Sequence, residues 1–146
     1  MPAAFDLWTE QQVLFAVVRG GWNELTARDY SLAYQKTVKP LLGNDWAHIV
    51  YLDDWGLGSP AIEPIISQLA TWAVSQRLRY FAQVYSPNMV KQFQLDRMLV
   101  SPIKTCEKQL FAEQNEAFAW LASKGFSTNS NKISYTLELQ QFASTS

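Results

Sequence analysis

The chain has 146 residues, 48% of them hydrophobic and 14% aromatic, and a formal net charge of −1. This length suits one domain with a sizeable core, and the near-neutral charge excludes a whole-protein field that would draw in nucleic acid. A single cysteine, Cys106, excludes an internal disulfide. The charge is uneven along the chain: residues 1–63 hold eight acids against four bases, and residues 77–108 hold six bases against two acids. No charged segment leads into an apolar run at the N-terminus, and no apolar run approaches the ~20 residues of a membrane span. The expectation is a cytoplasmic protein without a signal peptide, metal or cofactor.

Phe5 to Trp8 alternates as a strand does, and Val13 to Val18 is β-branched and apolar. Together they read as a hairpin whose loop is longer than the tightest turns. Gly20-Gly21 ends the second strand. Thr26-Ala27-Arg28-Asp29 matches a capping box, and Ala27, Tyr30, Tyr34, Val38 and Leu41 follow at helical spacing. His48 to Leu52 is apolar enough for a central strand. Asp53 to Pro60 then forms a strand–glycine–helix junction, the place where α/β proteins put binding sites. Ser59-Pro60 signals the start of a helix over Ile62 to Gln76, with Ile62, Ile65, Ile66, Leu69, Trp72 and Ala73 on one apolar face.

Tyr80 to Tyr85 is a fourth strand. Ser86-Pro87 repeats the helix-start signal before a third helix over Asn88 to Val100. Lys104 to Phe111 is edge-like, and Glu113 to Lys124 is a last helix stopped by Gly125. The order ββαβαβαβα implies an α/β fold with a mixed, mostly parallel sheet of about five strands. Residues 1–126 form that domain. Residues 127–146 are a linker and a tail in which strand and helix periodicity both fit Ile133 to Phe142.

Gly21-Trp22-Asn23, Trp46 through Trp55, and Glu116-Ala117-Phe118-Ala119-Trp120-Leu121 carry a resemblance to the SpoIIAA-like family of small bacterial proteins. The resemblance covers residues 5 to 125 and implies a STAS-like fold. In phosphorylatable STAS domains a serine follows an aspartate after the third strand. Here Asp53 is followed by Asp54 and Trp55, which argues against a phosphoswitch. Some members of the wider fold group bind nonpolar molecules or lipids.

The third helix meets that idea independently. Met89, Val90, Phe93, Leu95, Met98, Leu99 and Val100 fall all round it, more than a helix covering a sheet requires. The surplus could line a pocket, touch a membrane or meet a partner, or it could be covered by the tail. Trp55, Trp72, Tyr85, Met89, Phe93 and Met98 are the ligand-binding candidates, and Asp54, Ser59 and Ser86 are the polar loop candidates.

Catalytic chemistry finds little support. His48 is the only histidine and has no second ligand near it in sequence. No Gly-x-Ser-x-Gly elbow or phosphate-binding glycine motif occurs. The expected function is a non-enzymatic STAS-like module. It would bind a nonpolar small molecule or lipid, or lie peripherally on a membrane, through apolar helix surface. The alternative is a regulatory protein-interaction domain related to anti-sigma-factor antagonists but lacking the phosphoserine. A homodimer, with the tail paired on the Lys104–Phe111 edge of another subunit, is also expected.

Overall fold

The structure, a computed structural model, describes residues 3–99 and 105–128. Strand β1 (Phe5–Glu10) pairs antiparallel with β2 (Val13–Val18). The turn between them is only Gln11-Gln12, with Gln11 at φ 54, so the hairpin is tighter than the polar run Thr9 to Gln12 suggests. β4 (Trp46–Tyr51), β6 (Leu78–Val84) and β7 (Glu107–Phe111) then add in parallel, giving the order β1-β2-β4-β6-β7. The sheet is thus mixed and mostly parallel, as the element order implies. Its inner strands are apolar on both faces because helices cover both faces. All six residues of β2 and all six of β4 are buried.

The two faces carry separate clusters. Helices α1 (Glu24–Thr37), α2 (Ile62–Ser75) and α3 (Met89–Met98) cover the face bearing Leu14, Ala16, Trp46 and Val50. Helix α4 (Gln114–Ser123) covers the other face, with Ala117 and Leu121 packed on Phe15, Ile49 and Ala82. The period-2 alternation of β4 divides its side chains between them.

Three helix starts differ from the sequence signals. Asn23, not Thr26, caps α1: its side chain accepts the Thr26 backbone N–H at 2.9 Å. Ser59 does not cap α2 through its side chain; the chain turns at Pro60-Ala61 and the Ser59 carbonyl accepts the Ile62 N–H at 3.1 Å. Asn88, not Ser86, caps α3, accepting the Lys91 N–H at 2.9 Å. At α1 and α3 an asparagine two or three residues away takes the role. The tail from 129 onward, and with it the expected pairing on β7, lies outside the described residues.

Candidate functional site

The junction after β4 is not an open loop. Trp55–Gly58 forms β5, which pairs in parallel with β3 (Gly20–Trp22) in a second, two-stranded sheet. Trp55 is consequently buried rather than presented for stacking. Gly58 is required there, because a Cβ would collide with the side chain of Ile62. The backbone at this end is tied down locally. Asp53 Oδ1 accepts the Ser86 backbone N–H at 2.8 Å, and the Asp54 carbonyl accepts the Gly20 N–H at 2.9 Å. Ser59 donates its N–H to the Trp22 carbonyl at 3.0 Å.

Helix α3 is fastened to this junction by polar side chains that its sequence disguises. Lys91 is 8% exposed, and its Nζ donates to the carbonyls of Leu52 at 2.8 Å and Asp53 at 3.0 Å. Gln94 holds the Gly58 peptide from both ends, donating to its carbonyl at 2.8 Å and accepting its N–H at 3.0 Å. Arg97 pairs with Glu63 of α2 at 2.9 Å. The inward stripe is therefore Lys91, Leu95 and Met98, at i, i+4 and i+7, with only two fully buried apolar side chains. Met89, Val90 and Phe93 face out and are 88%, 62% and 63% exposed. The apolar residues do lie on both sides of α3, and on the outer side the Phe93 ring is met by the Arg97 guanidinium, 5.5 Å from its centroid.

Under the inner stripe lies a cavity of about 70 Å³. Its walls include Val50, Trp55, Ile66, Leu95, Met98 and Leu99. Tyr30 and Tyr34 of α1 line it too, as do His48 from β4 and Gln83 from β6. His48 is 2% exposed; its Nδ1 lies 3.3 Å from the Tyr34 hydroxyl, and its ring packs edge-on against Tyr34 and Phe81. Among the described residues its Nε2 has no hydrogen-bond partner, and neither has Nε2 of Gln83, a residue 4% exposed. Burial pushes the His48 pKa down to about 3, so the imidazole is neutral. Burial also holds the Tyr34 hydroxyl well above the usual tyrosine value, so it keeps its proton.

A second space of about 250 Å³ lies at the strand ends on the opposite face, between Val17, Tyr51, Val84 and the exposed acids Asp53, Asp54 and Glu113. It is where an α/β sheet would place a polar ligand. No group of three metal-ligating side chains occurs among the described residues. Of the sequence candidates, Asp54 lines this cleft, while Trp55 and Met98 line the buried cavity. Tyr85 is buried in the core and Trp72 packs against it, away from either space. Met89 and Phe93 are on the outer surface, and Ser59 and Ser86 on exposed turns. The structure does not gather these residues into one site.

Sequence reasoning missed His48 and Gln83 as a pair. The signal was present: a polar residue inside each of two apolar central strands is uncommon enough to require a partner or a purpose. Cys106 is half-buried, with its thiol pKa pushed up to about 11 mainly by burial, which leaves it a poor nucleophile.

No family model matches the chain, and no curated protein matches it. Among solved structures, it is similar to an uncharacterized protein from the DUF3478 family, with a SpoIIAA-like fold, from Shewanella loihica PV-4. The match has a TM-score of 0.63 at 10% identity and covers 83% of this chain and 98% of that one. No helix among the described residues is long and apolar enough to cross a membrane. The chain has a SpoIIAA-like, STAS-like α/β fold.

Proposed function

We propose that this chain is a non-enzymatic STAS-like module that takes up a nonpolar small molecule beneath α3. The observation that carries this reading is the cavity between the sheet and helices α1, α2 and α3, walled almost wholly by apolar side chains. At about 70 Å³ the space is smaller than the ~150 Å³ that holds benzene in an engineered protein core. Uptake therefore needs the C-terminal end of α3 to yield. That end is suited to yielding, because Leu95 and Met98 are its only buried apolar anchors among the described residues. The exposed Met89, Val90 and Phe93 give a nonpolar molecule a first surface to meet.

Native mass spectrometry of gently purified protein tests the proposal. A non-covalent adduct that disappears on denaturation, and is reduced in a cavity-filling Met98→Phe variant, is expected. Adduct-free protein that also fails to bind added hydrocarbon contradicts it.

A second reading, a protein-interaction surface on the outer side of α3, is favoured by a different fact: Met89, Val90 and Phe93 do not line the cavity. If that reading holds, Phe93→Ser abolishes capture of a partner that Met98→Phe leaves bound.

A further inference from the structure

His48 and Gln83 stand on the same face of adjacent strands. The parallel register sets His48 beside Phe81 and Val50 beside Gln83, which makes the two polar residues diagonal neighbours. Both line the same cavity, both are more than nine-tenths buried, and both leave Nε2 unpartnered. Leaving such groups unsatisfied is costly, so a matching acceptor is favoured there.

The buried Tyr34 hydroxyl favours one tautomer of His48. That hydroxyl is buried, and its contact with His48 Nδ1 is the hydrogen bond in which its proton can be placed. With Tyr34 O–H donating to Nδ1, the ring proton resides on Nε2, which becomes a donor. Gln83 Nε2 is a donor as well. Two donors inside an apolar wall select an acceptor. Among the described residues no lysine, arginine or carboxylate lines the cavity, so a charged acceptor would be buried there without a counter-ion, at heavy cost.

We propose that the cavity beneath α3 is selective for a small, uncharged, mainly apolar molecule bearing one carbonyl-type acceptor, with His48 Nε2–H and the Gln83 side-chain NH₂ as the donors. This deepens the nonpolar-ligand reading and rests on it. The class comprises ketones, esters and related neutral carbonyl compounds, seated with the oxygen toward β4 and β6 and the hydrocarbon toward Leu95 and Met98.

The test compares acetophenone with ethylbenzene, near-isosteres differing in the oxygen, by titration followed through protein NMR shifts. In an apolar cavity without donors the hydrocarbon binds tighter, because the ketone gives up water hydrogen bonds on entry. The expected result is that wild type binds acetophenone at least as tightly as ethylbenzene, with a shift at the His48 Nε2 resonance. Gln83→Met then weakens acetophenone about 2–10-fold, the range of one neutral hydrogen bond, and leaves ethylbenzene unchanged. Gln83→Leu serves the same purpose should the first variant fail to fold. Ethylbenzene binding about tenfold tighter than acetophenone in wild type, with a ratio the variants do not alter, overturns the carbonyl assignment and leaves the nonpolar-ligand reading standing. A cavity that holds ordered water and takes neither probe overturns both.

Discussion

Replacing His48 with glutamine should remove a specific part of the protein's acid sensitivity. The imidazole is 2% exposed, and the neighbours assigned to its ring are Tyr34 and Phe81, neither of them charged. Burial lowers its folded pKa to about 3, against roughly 6.5 in the unfolded chain. The folded state therefore refuses a proton that the unfolded state accepts. The stability contributed by the neutral ring is fully present above pH ~6.5 and is lost progressively as pH falls toward 3. At pH 4.5 the unfolded ring lies about two pH units below its pKa, and each unit is worth ~1.4 kcal/mol. The wild type should therefore lose about 3 kcal/mol more than His48→Gln between pH 7.5 and pH 4.5. Urea denaturation of both proteins at the two pH values measures this, and other titrating groups cancel in the comparison. A difference under about 1 kcal/mol would refute the reasoning, as would a native His48 NMR titration centred near 6.5.

Other substitutions test the attachments around α3. Gly58→Ala should destabilise by about 1–3 kcal/mol, since its Cβ collides with Ile62; a denaturation midpoint equal to wild type contradicts the packing described. Lys91→Met should cost about 1–3 kcal/mol by removing the charged donor that the Leu52 and Asp53 carbonyls share, measured by urea unfolding, whereas Lys→Met at an exposed site such as Lys36 should cost little. Met98→Ala should cost about 2–5 kcal/mol and, by enlarging the existing cavity, tighten ethylbenzene binding. Tighter packing with no gain in binding would show that the wall collapses instead.

Much of the fold is legible in the sequence because burial imposes strict patterns. The alternation in Phe5–Trp8, the apolar runs of Val13–Val18 and His48–Leu52, and the Ile62–Ala73 face each point to an element that forms within a few residues of its expected place. Local polar chemistry is less legible. Asn23, Ser59 and Asn88 differ in role from what the motifs suggest because a cap is decided by which backbone N–H groups the turn presents. β5 escapes sequence reading altogether: Trp55-Gly56-Leu57-Gly58 reads as a glycine loop, and only its partner Gly20–Trp22 makes it a strand.

The site was legible only in part. The surplus of apolar residues on α3 follows from the sequence, but its division does not. Lys91 and Gln94 occupy inward positions that a hydrophobicity pattern assigns to the surface, because the carbonyls and peptide that satisfy them belong to residues more than 30 positions away. His48 and Gln83 are 35 positions apart and meet only through the β4–β6 register. Spacing along the chain carries no trace of that contact.

The three methionines supply the most direct test of a ligand site beneath α3. Met98 lines the cavity, whereas Met89 is 88% exposed on the outer side of the same helix. With ε-¹³C-methionine protein, added ethylbenzene should shift the Met98 methyl resonance in a saturable way and leave that of Met89 in place. Saturable movement of Met89 alone, or of neither, would contradict uptake beneath the helix.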